Sequence, residues 1–123
     1  VLEQIKGKDS LEEMLLAFGE MMCDEAPQVA ERLSWIMLEF DHLDESAQNI
    51  VRKSQMKFHQ SFHDEVARFI PEDAEKAKII ASIVQFCYFG FAQFSSKFGM
   101  AAIEFDFDRF SRTVAKSLSQ YQD

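Results

Sequence analysis

Apolar positions recur along this chain at three- and four-residue intervals and nowhere alternate with period two. That pattern predicts helices and no strands. The most apolar run covers residues 79–98. Set out at 100° per residue, one of its stripes collects Ile79, Ile83, Phe86, Gly90 and Phe94. A neighbouring stripe collects Ile80, Val84, Cys87, Tyr88 and Phe91, and Ser82, Gln85 and Gln93 are confined to a narrow strip. A helix that is apolar over more than half its circumference needs partners on two sides. One side is expected to face the chain's own core and the other a second copy. Gly90, central in the first stripe, costs about 1 kcal/mol against alanine as a helix residue. Its missing side chain would admit a close neighbour.

The other elements follow from caps and breakers. Residues 1–7 read as the tail of a helix broken at Gly7 and Lys8. Ser10 followed by Glu13 is a capping box, in which the hydroxyl takes a first-turn amide and the carboxylate reaches back. It opens a helix to about Cys23, with Leu11, Met14, Leu15, Phe18 and Met22 on one face. Asp24 to Pro27 reads as a break, with Pro27 at the first position of a second short helix. That helix is expected to reach about Phe40, with Leu33, Ile36, Met37 and Phe40 inward and Trp35 off the centre of the stripe. Asp44 is a good N-cap for a long helix over 45–70. Val51, Phe58, Phe62 and Phe69 mark its stripe, and Pro71 stops it. Glu72, Asp73 and Glu75 suit the positive end of the next helix dipole. After a loop over 100–105, a last helix over 106–121 carries Phe110, Val114, Leu118 and Tyr121. The expectation is an all-α, antiparallel bundle of about five helices.

Composition narrows this further. At 123 residues the chain is one domain by size, able to bury a sizeable core without staples. Thirteen Phe and a 47% hydrophobic content exclude disorder. The net charge of −8 argues against nucleic-acid binding by this piece. The densest basic group, Arg52, Lys53 and Lys57, suits a solvated helix face. Cys23 and Cys87 lie in apolar helical contexts and read as buried free thiols of a reducing, cytoplasmic compartment. The window 79–96 is slightly short for a membrane span and holds Gln and Ser, so no membrane partner is expected.

No phosphate loop, paired-cysteine site or nucleophile elbow is present. His59 and His63 stand four apart and would share a helix face. The Glu that serves as base in a zinc-protease motif is replaced by Gln60. They read as one half-buried and one exposed histidine, with no metal, no cofactor and no enzymatic activity implied. His59 borders the apolar stripe and is the better candidate for a polar contact in a pocket. Met14, Met21, Met22, Met37 and Met56, with many Phe, could line an adaptable apolar cavity or form plain core. Ser54, His59, Gln85 and Gln93 could orient a ligand there.

The order of these elements resembles the C-terminal domain of the tetracycline-repressor family of bacterial transcription regulators. The likeness is carried by the two short helices over 10–40, by KFHQSFHDEVARFIP at 57–71, by QFCYFGFAQF at 85–94 and by FDFDRFSRTVAKSL at 105–118. It covers nearly the whole chain and rests on pattern and order. The resemblance implies a single helical domain over 1–123 that binds a small apolar or amphipathic effector between its central helices. It also implies a homodimer in which the last two long helices pack with the partner's pair as a four-helix bundle. By helix position, the expected pocket lining is Phe18, Met22, Trp35, Phe58, His59, Phe62 and Cys87. The expected dimer face is Ile79, Ile83, Phe86, Gly90 and Phe94 with Phe110, Val114 and Leu118. That family reads DNA through an N-terminal helix-turn-helix, which these residues lack. Residues 1–7 would match the tail of the linker helix, and this chain alone is expected not to bind an operator. The rival reading is a helical protein-interaction module with a solid core and no effector.

Overall fold

The computed structural model describes residues 2–98 and 106–121. The described part is all-α. Its helices are α1 (Leu11–Glu39), α2 (Glu45–Ala67), α3 (Ala74–Phe98) and α4 (Phe107–Ser119), with short 3-10 turns at Leu2–Gln4 and Phe40–His42. The loop expected over 100–105 lies outside the described residues.

Side-chain caps open the helices, and the chemistry is local. Ser10 Oγ accepts the Glu13 N–H at 3.1 Å, while the Glu13 carboxylate accepts the Asp9 N–H at 3.3 Å. The reciprocal half of the box therefore closes one residue further out than the usual pattern. Asp44 accepts the Ala47 N–H at 2.8 Å, Asp73 the Lys76 N–H at 3.0 Å and Asp106 the Arg109 N–H at 3.0 Å. Each carboxylate satisfies an orphan donor at the positive end of a helix dipole.

The expected break at Pro27 does not occur, because α1 runs unbroken from Leu11 to Glu39. A proline inside a helix costs about 3 kcal/mol. Here Glu25, Ala26, Gln28, Ala30, Glu31 and Arg32 surround it with good helix formers, and Phe18, Met21 and Met22 hold the preceding turns in the core. Two expected short helices thus become one long one. α2 stops at Ala67, three residues before the expected end. Phe69 and Ile70 donate to Val66 and Ala67 in tightened turns at 3.1 Å, as suits a residue preceding Pro71. α4 has 13 residues, so only the first of the two final helices is long. The entry segment is a 3-10 turn where an α-helical tail is expected. It ends at Gly7, whose φ of 74° favours glycine, and it buries Ile5 completely.

α1 packs on α3 and α4, and α2 packs on α3. The centre of the core is Phe18. Its ring lies 4.6 Å from Phe62 of α2 and meets Tyr88 of α3 edge-on at 5.5 Å. Beside it, Gly19 lets α4 come close: a Cβ there would overlap the Ser111 hydroxyl and sit 2.7 Å from that of Tyr88. Those two hydroxyls share a buried hydrogen bond of 2.6 Å. The window Ala74–Phe94 is long and apolar enough to cross a membrane by length and composition. In this fold one side of it supplies Ile80, Ala81, Val84 and Tyr88 to the core.

Candidate functional site

Among the described residues, core burial in α1 ends at Met22, and in α2 it begins at Phe62. Beyond those residues a gap lies between the two helices, although they are neighbours in sequence. The gap between them is a groove of about 310 Å³, at the lower end of the range for small-molecule sites. Met21, Met22, Leu33 and Ile36 of α1 face Phe58 of α2, and Phe89 of α3 closes the floor. Polar groups are few: Glu25 and Arg32 on the α1 wall, Ser54 and Gln55 on the α2 wall. Glu25 and Arg32 have no ion pair among the described residues. The Phe58 and Phe89 rings lie 6.2 Å apart, and Phe58 stacks on Phe62 at 6.4 Å. The groove is therefore backed directly by the core. At the far end, Gln48 Nε2 donates to the Phe40 carbonyl at 2.9 Å and the Arg52 guanidinium lies 5.1 Å from the Phe40 ring. These contacts tie the Phe40 end of the turn to the first turns of α2.

Of the expected pocket residues, Met22 and Phe58 line this groove. Phe18 and Phe62 are fully buried behind it, as core. His59 does not line it: its Nδ1 stands 3.3 Å from Gln85 Oε1, in a polar contact between α2 and α3. Among the described residues, the buried Gln85 amide nitrogen has no hydrogen-bond partner. His63 faces Gln60 and Asp64 on its own helix. Cys87 is exposed, which corrects its placement in the pocket. On the helix wheel it stands beside the outward stripe of α3 rather than facing α1. The side chain of Cys23 is outside the described set. Trp35 does not line the pocket either: it is 56% exposed and borders an adjoining surface cleft with Gln28, Glu31 and Arg32, of which Arg32 also lines the groove. Among the described residues, no group of three or more His, Cys, Asp or Glu is placed to hold a metal ion.

Met21 and Ser54, expected as cavity-lining and ligand-orienting residues, also line the groove; those that sequence reading missed are Glu25, Arg32, Leu33, Ile36, Gln55 and Phe89. On an unbroken helix, residues 21, 25, 32 and 36 share one stripe. The signal was therefore present, and the break assigned at Pro27 hid it.

The residues expected at a dimer face divide in two. On α3, Ile79, Ile83, Phe86 and Phe94 are 41–72% exposed on one outward side. A Cβ added at Gly90 would meet nothing within 4 Å. On α4, Phe110, Val114 and Leu118 are half-buried against the chain's own core. Phe110 packs its ring on Tyr88 and Phe91 at 5.8 and 5.9 Å. What α4 leaves outward is polar and basic, with Arg109, Arg112 and Lys116 exposed. No protein-family model, curated protein or solved structure matches the chain.

Proposed function

We propose that this chain is the effector-sensing and homodimerisation domain of a regulator like those of the tetracycline-repressor family, and not an enzyme. The observation that carries the reading is the apolar groove between α1 and α2, floored by Phe89 and holding four polar residues among the described ones on its walls. A site of that make-up suits a small apolar or amphipathic molecule, bound mainly by burial and oriented by a few polar groups. The finer architecture, an antiparallel bundle whose α3 and α4 pair with a second copy, belongs to the same proposal. It is supported by the outward apolar side of α3.

In this reading the effector acts by population shift. It favours one position of α1 against α2, and α1 connects directly to the segment 2–10. That segment is tied to the core by Ile5 and by the Arg68 guanidinium, which donates to the Lys8 carbonyl at 3.0 Å. Reading of operator DNA would belong to a helix-turn-helix outside these residues, in a cytoplasmic bacterial regulator. A titration with the neutral lipophilic dye N-phenyl-1-naphthylamine tests the groove. The expected result is one saturable site per chain, weakened at least tenfold by Ser54→Phe, which fills the groove from an exposed wall position. Non-saturating dye uptake would favour the rival, an interaction module without a ligand.

A further inference from the structure

The α1 wall of the groove straddles Pro27. Met21, Met22 and Glu25 precede it, and Arg32, Leu33 and Ile36 follow it. The two halves of α1 are held very differently. The half before Pro27 carries Leu11, Met14, Leu15, Phe18, Met21 and Met22, all buried. Among the described residues after Pro27, none of the α1 side chains is buried, and Trp35, Met37 and Leu38 are 56, 73 and 73% exposed. Proline has no N–H, so the carbonyl of residue 23 lacks its usual partner four residues on. The hydrogen-bond ladder of α1 is thus interrupted at the boundary between its anchored and its unanchored half. At the other end of the outer half, the chain leaves the helix through the short turn at Phe40–His42 and the extended Leu43.

We infer that residues 28–39 are a lid over the groove, hinged at Pro27 and at the turn over 40–44, which swings toward α2 to close on an occupant. The inference rests on the reading of the groove as an effector site. Its stationary jaw is α2, which packs on α3. Its moving jaw presents Leu33 and Ile36, each only half-buried in the open form. Closing would cover these two against Phe58. A ligand that adds apolar contact to both jaws binds the closed form better, which is the differential affinity a population shift requires. Regions with few buried contacts open first. The hinge, the exposure and the groove wall therefore coincide on one twelve-residue piece.

Amide hydrogen exchange of the 123-residue chain tests this, with and without N-phenyl-1-naphthylamine. Amides over 28–39 are expected to exchange at least tenfold faster than those over 11–22 in the free protein. Pro27→Ala, which restores the missing donor, should slow 28–39 at least fivefold and leave 11–22 unchanged. Saturating dye should slow 28–39 in the wild-type chain. Equal exchange over the two halves, or no response to Pro27→Ala, overturns the hinge whether or not the dye binds. Saturable dye binding without slowing of 28–39 overturns the lid and leaves the effector site standing. Absence of a saturable site overturns the closure together with the effector reading, and the Pro27→Ala comparison then shows that failure to be distinct from the hinge's.

Discussion

Gly19 is the residue on which the packing of α1 against α4 depends. Its missing Cβ makes room for the Ser111 hydroxyl, which in turn holds that of Tyr88. Gly19→Ala forces one of these groups aside in a close-packed site, and overpacking of this kind costs about 1–3 kcal/mol. Urea denaturation should show that loss, with partial recovery when Ser111→Gly is added. An unchanged midpoint would mean that α1 and α4 do not approach here. Tyr88→Phe leaves the buried Ser111 hydroxyl without this partner and should lower stability by about 1–2 kcal/mol by the same measurement. Gly90 is the contrasting case, since open space surrounds it. The sequence marks both as helical glycines and does not distinguish them. The difference lies in a helix more than ninety residues further along the chain, which no local pattern reports.

Among the elements, what was legible in the sequence was what local chemistry decides. Ser10 and Asp44 act as the caps they resemble, because a cap needs only its own first turn. Asp44→Ala should therefore cost about 1 kcal/mol, measured as a shift in thermal midpoint, with little change to the rest of the fold. A midpoint unmoved by that substitution would place the α2 start elsewhere. The stripe of Met14, Leu15, Phe18 and Met22 was legible for a similar reason: helical periodicity survives without knowing the partner. Pro27 was misread because a strong local breaker was outweighed by good helix formers and by packing of the preceding turns. From that error followed the loss of half the groove. Its α1 wall cannot be assembled while residues 21–25 and 32–36 are assigned to different helices. His59 and Cys87 were misplaced by another route. Each borders an apolar stripe on the wheel, and only the rotation of α2 and α3 about their axes settles which neighbour it meets.

For the whole molecule the open question is what covers α3. Its outward stripe from Ile79 to Phe94 is about 22 Å long at 1.5 Å per residue. A stable interface buries about 800 Å² per partner, more than one face of a single helix of that length supplies. A dimer built here must therefore also use the flank of α4, where Phe110 and Val114 are only partly spent on the core. Phe86 is the most exposed of the large residues on the α3 stripe at 72%, so Phe86→Glu removes apolar contact and introduces a charge without disturbing the core. Sedimentation equilibrium should change from dimer to monomer at micromolar concentration. The thermal midpoint should then lose the dependence on protein concentration that subunit association confers. Gly90→Glu should do the same, because in the proposed dimer a carboxylate would occupy the space beside the second copy. Met37, equally exposed at 73%, lies on α1 away from this face. Met37→Glu should leave the dimer intact. A wild-type monomer would overturn the dimer, whereas a dimer that survives both α3 substitutions and dissociates with Met37→Glu would move the contact to the outer half of α1. The lid and the interface would then be one surface, and assembly would compete directly with closure of the groove.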